Sequence, residues 1–204
     1  MNALEKRLFD EIQYLVEELP WTNELNLDYF ETCVHEAGHG AVQLVVYKDF
    51  KNPGCLSKLT LEATVKGAMR GFRGKAMAST TGDCGKYLFP IIPIFLHKLT
   101  GVSGAILTDE FFNYFYGWGK VKDMKELQKT YGAEYDFAKI LPFGTVGVNL
   151  AKNLVRFSYS KSDVRILHLR LIRDLLKNNG KFVVKNPEEY VKEKELLYVA
   201  LNVV

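Results

Sequence analysis

The sequence has few cysteines, and they follow no recognisable pattern. Its three cysteines, Cys33, Cys55 and Cys84, are odd in number and match no zinc-finger spacing. Small secreted domains that depend on disulfides carry many more cysteines for their length. The sequence therefore predicts a reducing compartment, and a cytoplasmic location is the expectation.

Long hydrophobic runs are also missing. A membrane-spanning helix needs roughly 20 consecutive apolar residues. The most hydrophobic stretch, Tyr87 to Leu96, has ten residues and contains two prolines. The N-terminal stretch, Met1 to Leu19, mixes charged and apolar residues, so it is predicted as an amphipathic helix and not a signal peptide. We therefore expect no membrane span.

Charge of one sign is not in excess either. The chain has 27 basic and 24 acidic side chains, a formal charge of +3. One basic group, Arg70, Arg73 and Lys75 around Phe72, lies in a glycine-rich segment where it is typical of a solvated sheet edge. No run of Lys or Arg is dense enough for a nucleic-acid surface, so no nucleic-acid partner is predicted.

Apolar residues, in contrast, are plentiful: they make up 48% of the 204 residues, which is enough for the core of one domain. The whole chain, 1–204, is therefore predicted to be a single domain. Helical periodicity is clear over Met1 to Leu19, in a second helix that opens at Asp28, and over Val164 to Leu176. Lys58 to Lys66 alternates apolar and polar residues, which is typical of a strand. The pattern predicts an α+β fold, mainly helical, with a small sheet.

The middle of the chain is punctuated by glycine and proline. Gly67 to Gly74 is predicted as a second strand and Ser79 to Gly85 as a loop. The apolar segment that follows is expected to be kinked at its prolines and to end at Thr100. A further helix is predicted up to the loop Gly117 to Gly119, a short one over 121–131, and a last helix from Asn186.

The second helix contains an H-E-x-x-H motif. His35 and His39 are four residues apart, so they share one helix face and converge on one metal ion, most naturally zinc. Glu36 lies beside the first ligand and can take a proton from metal-bound water. Glycine costs about 1 kcal/mol relative to alanine inside a helix, so Gly38 indicates that another element packs close to the backbone.

A catalytic zinc usually has a third protein ligand. His97 and His168 lie in apolar surroundings that are typical of buried histidines. The acidic candidates are Asp109, Glu110 and Asp123. The residues by themselves leave this choice open.

Three short pieces, in this order, resemble the protease domain of the FtsH-type zinc peptidases, peptidase family M41. They are the H-E-A-G-H of His35 to His39, the small-residue segment Gly101 to Glu110 with its acidic end, and Gly119 to Met124. In the last piece a glycine is followed, after three residues, by an aspartate and an apolar residue. The pieces divide the chain into a metal-site half, 28–131, and a helical C-terminal part, 134–204.

The resemblance implies a zinc metalloendopeptidase with a zincin-like fold, in which the small sheet lies next to the H-E-x-x-H helix. It makes His35, His39 and Asp123 the zinc ligands and Glu36 the general base. Glu110 is the alternative third ligand, as in a gluzincin-like arrangement. The chain contains no G-x-x-x-x-G-K-[ST] phosphate loop, so the expectation is a stand-alone domain without the ATPase.

The resemblance also predicts how a peptide or protein substrate binds. In the family, the strand after the H-E-x-x-H helix is an edge strand that pairs with an extended substrate, a form of β-augmentation. The corresponding residues here are Leu59, Thr60, Leu61, Glu62 and Ala63.

Two other functions stay open. A zinc-binding module that docks peptides without cleaving them would lose nothing when Glu36 becomes Gln. A partner-dependent protease would be nearly inactive alone, because it would act as part of a homo-oligomer or docked to a separate ATPase unfoldase.

Overall fold

The mainly helical α+β fold is confirmed. The computed structural model describes residues 1–49, 56–65, 71–80, 91–119, 121, 124–131, 138, 142 and 144–185. In chain order the elements are α1 (Ala3–Glu17), α2 (Asn23–Asp49), β1 (Leu56–Val65), β2 (Phe72–Thr80), α3 (Ile91–Tyr116), α4 (Met124–Thr130), α5 (Gly144–Tyr159), α6 (Ser162–Lys177) and β3 (Lys181–Val184). None of the described helices combines the length and the apolar character needed to cross a bilayer.

Helix α1 forms as predicted and begins with a reciprocal cap. The Asn2 side chain accepts the Glu5 N–H, and the Glu5 carboxylate accepts the Asn2 N–H, each at 2.8 Å. Leu8 and Ile12 are buried on the inner face of the helix. Glu5 also accepts from Arg165 of α6 at 2.9 Å, and this pair joins the two helices.

Helix α2 is the central helix, and it contacts α3, α6, β1 and β2. It begins at Asn23, so the prediction that this helix opens at Asp28 is wrong. Asp28 lies one turn inside the helix, where its carboxylate accepts the N–H of Phe72 at 3.1 Å and so holds the start of β2. The predicted buried stripe is confirmed at Phe30, Cys33, Val34, Ala37, Ala41, Leu44 and Val45.

Helix α3 is continuous from Ile91 to Tyr116, so the predicted break at Thr100 is wrong. Pro93 is the third residue of the helix, where a backbone N–H has no partner within the helix, so the proline is tolerated without a break. The chain leaves the helix at Gly117, whose φ of 71° is accessible to glycine, and the loop Gly117 to Gly119 is confirmed.

The sheet has three antiparallel strands in the order β2-β1-β3. Strand β1 pairs with β2 from Leu56 through Val65 and with β3 from Leu59 through Glu62. The prediction that the strand at Leu59 to Ala63 is an edge strand is therefore wrong: its backbone groups already bond to neighbours on both sides. Strand β2 runs to Thr80, so it occupies part of the segment predicted as a loop from Ser79.

Helix α6 forms as predicted, and it leads into a tight turn beneath the sheet. Gly180 has a φ of 77°, and a Cβ there would overlap the carbonyl oxygen of Ala63. The Ala63 N–H donates to the Gly180 carbonyl at 2.7 Å. Glycine at this position therefore lets β3 follow α6 directly. The helix predicted from Asn186 lies outside the described residues.

Candidate metal centre

The three residues of the motif converge. The Nε2 atoms of His35 and His39 are 3.1 Å apart, and the ligand atoms of His35, Glu36 and His39 all lie within 4.8 Å of one another. Glu36 and His39 are each 6% exposed, whereas His35 is partly exposed. The motif residues are therefore mostly buried, and His35 is the most exposed of the three.

A backbone carbonyl of α3 orients the second histidine. Nδ1 of His39 lies 2.7 Å from the carbonyl oxygen of Thr100, which also accepts from Ser103 Oγ at 2.7 Å. A carbonyl can only accept, so Nδ1 carries the hydrogen and Nε2 keeps a lone pair for a metal. The Gly104 N–H lies 3.3 Å from the same Nδ1, a longer contact that would need the opposite tautomer, and we assign the hydrogen by the shorter one.

The donor geometry fits a zinc ion. Two nitrogens about 2.05 Å from one tetrahedral ion lie roughly 3.3 Å apart, close to the 3.1 Å between the two Nε2 atoms. A Cβ on Gly104 would lie 2.5 Å from Nε2 of His39 and 2.7 Å from Nε2 of His35. The absence of a side chain at Gly104 therefore keeps open the space beside both donor atoms.

Close approach of α3 to the motif depends on a second glycine as well. A Cβ on Gly38 would lie 3.1 Å from the Cβ of Leu107 and 3.2 Å from the Cα of Gly104. The expectation that another element packs against the backbone at Gly38 is confirmed, and that element is α3.

The carboxylate of Glu36 lies against the outer strand of the sheet. A Cβ on Gly74 of β2 would overlap the Glu36 side chain at Oε1, Cγ and Cδ. Gly40, on the same helix, packs in turn against the side chains of Leu59 and Leu61 in β1. The small residues of α2 and β2 thus bring the general-base candidate next to the backbone of the sheet.

The candidate third ligands are not part of this group. Asp123, the ligand that the resemblance implies, lies outside the described residues, as does the side chain of His97. Glu110 is buried and forms an ion pair with Arg156, whose Nε lies 3.1 Å from Glu110 Oε1. Among the candidates with described side chains, Asp109, Glu110 and His168 all lie outside the group.

Asp109 and Arg156 form a polar cluster that bonds to the backbone of Val121, two residues before Asp123 in the chain. The sequence analysis did not predict this cluster. The Val121 N–H donates to Asp109 at 3.1 Å, and the Val121 carbonyl accepts from Arg156 at 2.7 Å. Arg156 also donates to the other Asp109 oxygen at 2.8 Å. Both backbone groups of Val121 are thereby fixed, two residues before Asp123. No short-range spacing links Arg156 to Asp109, so no sequence signal pointed to the cluster.

His168 of α6 bonds to the backbone of α2 next to the motif. It is fully buried, and its Nε2 donates to the carbonyl of Val34, next to His35, at 2.9 Å. The Tyr159 hydroxyl lies 3.4 Å from its Nδ1. Burial lowers the pKa of His168 to about 4, although the hydrogen bond to Val34 acts in the other direction. The interpretation of His168 as a buried core histidine is confirmed.

Comparisons with protein-family models, curated proteins and solved structures give no match for this chain. The function is therefore argued from the geometry of the centre itself.

Proposed function

We propose that the chain is a zinc-dependent endopeptidase, similar to the protease domain of the FtsH-type enzymes of family M41. One observation carries the proposal: two histidine Nε2 atoms 3.1 Å apart, with a buried carboxylate in the same 4.8 Å group. Two neutral imidazoles and an adjacent acid suit metal-assisted hydrolysis, and H-E-x-x-H on a helix is the pattern of zinc peptidases.

His35 and His39 would hold the zinc, with Asp123 as the proposed third ligand. A zinc ion there supplies a water of lowered pKa and polarises the carbonyl of the substrate. Asp123 follows two residues after Val121, whose N–H and carbonyl are bonded to Asp109 and Arg156. The alternative, Glu110, would have to leave its ion pair with Arg156.

Glu36 is the proposed general base. Its carboxylate takes a proton from the attacking water and later gives that proton to the leaving amine, the shuttle that peptide hydrolysis needs. The side chain is 6% exposed and confined by the backbone of Gly74, so it has little freedom to turn away from the site. A base held in one position loses little entropy when it acts.

The substrate would lie along the outer edge of β2, and not on β1 as the resemblance implied. In the described sheet β1 is paired on both sides, whereas β2 has a neighbour on one side only. Its exposed residues, Arg73 and Lys75, flank Gly74, which contacts Glu36. An extended peptide paired to this edge would pass the general base, with backbone hydrogen bonds giving affinity for many sequences.

Metal analysis and a cleavage assay test the proposal together. We expect one zinc per chain in the wild type, reduced in His39→Ala and Asp123→Ala but kept in Glu110→Ala. Cleavage of casein or of a quenched peptide should be lost in Glu36→Gln with zinc content unchanged. A wild type that takes up no divalent metal on reconstitution would refute the proposal, and one that binds zinc but cleaves nothing would be a zinc-binding or partner-dependent module.

A further inference from the structure

A groove lies where the end of α1, the start of α2 and the end of α3 meet. It has a volume of about 370 Å³, and its lining includes Val16, Glu17, Asn23, Leu27, Tyr116 and Trp118. Tyr116 is twelve residues beyond Gly104 on α3, about 18 Å along the helix. The groove is therefore separate from the metal centre and plays no part in the proposed hydrolysis.

One wall of the groove is a fixed aromatic surface. The ring of Trp118 stacks on the buried ring of Phe112, with centroids 4.5 Å apart and planes 10° apart. The side chain of Asn113 donates to the Trp118 carbonyl at 2.5 Å and holds its backbone in place. Trp118 is nevertheless 48% exposed, and Leu27 across the groove is 47% exposed. A large, ordered apolar surface is thus open to a ligand.

One charged side chain lines the groove, and it is acidic. Among the lining residues, Glu17 is the only one with a charged side chain. The stretches of chain that contain the lining, residues 8–47 and 99–119, carry ten acidic side chains and no lysine or arginine, and Lys120 follows directly after them. The wall of the groove therefore offers a negative charge to a ligand.

Three exposed glutamates belong to the lining of the groove or adjoin a lining residue in the chain. Glu17 forms part of the wall, and Glu18 and Glu24 are the chain neighbours of the lining residues Glu17 and Asn23. All three glutamates are exposed, and within the described structure none of them forms an ion pair.

We infer that this groove binds a basic and apolar segment of a partner polypeptide, with an arginine or lysine side chain placed against Trp118 and paired with Glu17. Tryptophan is the best aromatic partner for a cation, and an adjacent carboxylate adds charge pairing. The aliphatic part of the same side chain would pack on Val16 and Leu27. A groove of this size suits a short segment and a weak, reversible complex.

The two tryptophans of the chain, Trp21 and Trp118, allow a direct test. In the Trp21→Phe variant, Trp118 is the sole source of tryptophan fluorescence. We expect a saturable change in its emission when a short peptide of alternating arginine and leucine is added, and none with a peptide that has glutamate in place of arginine. The change should weaken at high salt, which screens exposed charge pairs.

Matched charge-reversal variants distinguish an effect at the groove from an effect of the protein's net charge. Glu17→Lys should weaken peptide binding at least tenfold, whereas Asp163→Lys, an exposed residue at the start of α6, makes the same change in net charge and should leave binding within twofold. Equal weakening by both variants, or equal binding of the arginine and glutamate peptides, would overturn the inference. A shift in emission with protein concentration alone, accompanied by dimer formation, would also overturn the inference, because a second copy of the chain would then fill the groove.

Discussion

Gly74 of β2 and Glu36 of α2 lie in such close contact that no side chain fits between them. We predict that Gly74→Ala displaces the Glu36 carboxylate and lowers kcat by about 100-fold, within the range that general acid-base catalysis contributes. Zinc content should stay at one per chain, because the atoms nearest to the new methyl group belong to Glu36 and not to a histidine. Steady-state kinetics and metal analysis on the same preparation measure both.

A matched substitution distinguishes this effect from a general response to losing a glycine. A Cβ on Gly144, at the start of α5, would meet nothing within 4 Å, so Gly144→Ala should leave kcat within twofold even though its φ of 64° makes the substitution cost some stability. If Gly74→Ala retained full activity, the carboxylate would not depend on its position against β2, and Glu36 would lose its assignment as general base.

We expect a substitution at Gly104 to weaken metal binding and not to affect proton transfer. Because a Cβ there would lie 2.5 Å and 2.7 Å from the two Nε2 atoms, Gly104→Ala must push the histidines apart or block the ion. We expect zinc affinity to fall at least tenfold, measured by competition with a chromogenic chelator. Activity at saturating zinc should recover in part, unlike that of Gly74→Ala. Unchanged affinity would mean that the metal lies elsewhere.

Arg156 provides a test of the third ligand. Replacing it by alanine frees the Val121 carbonyl and leaves the buried Asp109 and Glu110 without their cation, which costs roughly 3–5 kcal/mol of stability. Since Arg156→Ala is at risk of unfolding, Arg156→Lys is the informative variant. We expect it to fold and to bind zinc about tenfold more weakly than the wild type.

A double-mutant cycle shows whether the loss of zinc affinity in Arg156→Lys depends on Asp123. If Arg156 acts through the segment before Asp123, Arg156→Lys should weaken zinc binding in the wild type but not in an Asp123→Ala background. Equal losses in both backgrounds would show that Arg156 has no connection with Asp123, and would favour the ion-paired Glu110 as the ligand.

Much of the helical structure and the core of the site could be predicted from local pattern. Histidines four residues apart on a helix must share a face, so the approach of His35 to His39 followed from spacing alone. The apolar positions of α6 recur at helical spacing because the helix buries one face, whereas α2 is buried on nearly every side from Cys33 to Val46.

The parts that failed depend on contacts between distant residues. Alternation in β1 indicated a strand but could not reveal how many neighbours it has, because β3 is only four residues long and pairs Val184 with Leu59. The sequence also predicted that the proline-containing segment ends at Thr100, whereas α3 continues to Tyr116 and brings Gly104 against the histidines of α2. That contact joins residues more than 60 positions apart, so no local pattern could reveal it.

His168 makes the stability of the fold depend on pH. Its pKa is about 4 in the folded protein, because burial disfavours the charged form, against about 6.5 for an unfolded histidine. Between these two values the unfolded chain binds more protons, so stability falls as the pH drops from 6.5 towards 4. At pH 5 the loss from this residue is about 2 kcal/mol.

Urea unfolding of the wild type and His168→Phe at pH 7 and pH 5 measures this contribution, with a chelator present so that metal binding adds nothing. The variant is expected to be less stable at pH 7 by about 1–2 kcal/mol, since the Val34 carbonyl loses its donor. Its further loss between pH 7 and pH 5 should be smaller than that of the wild type by about 2 kcal/mol. Equal losses of stability in the two proteins would mean that His168 takes up its proton while the protein stays folded. The packing around His168 would then open more readily than its burial implies.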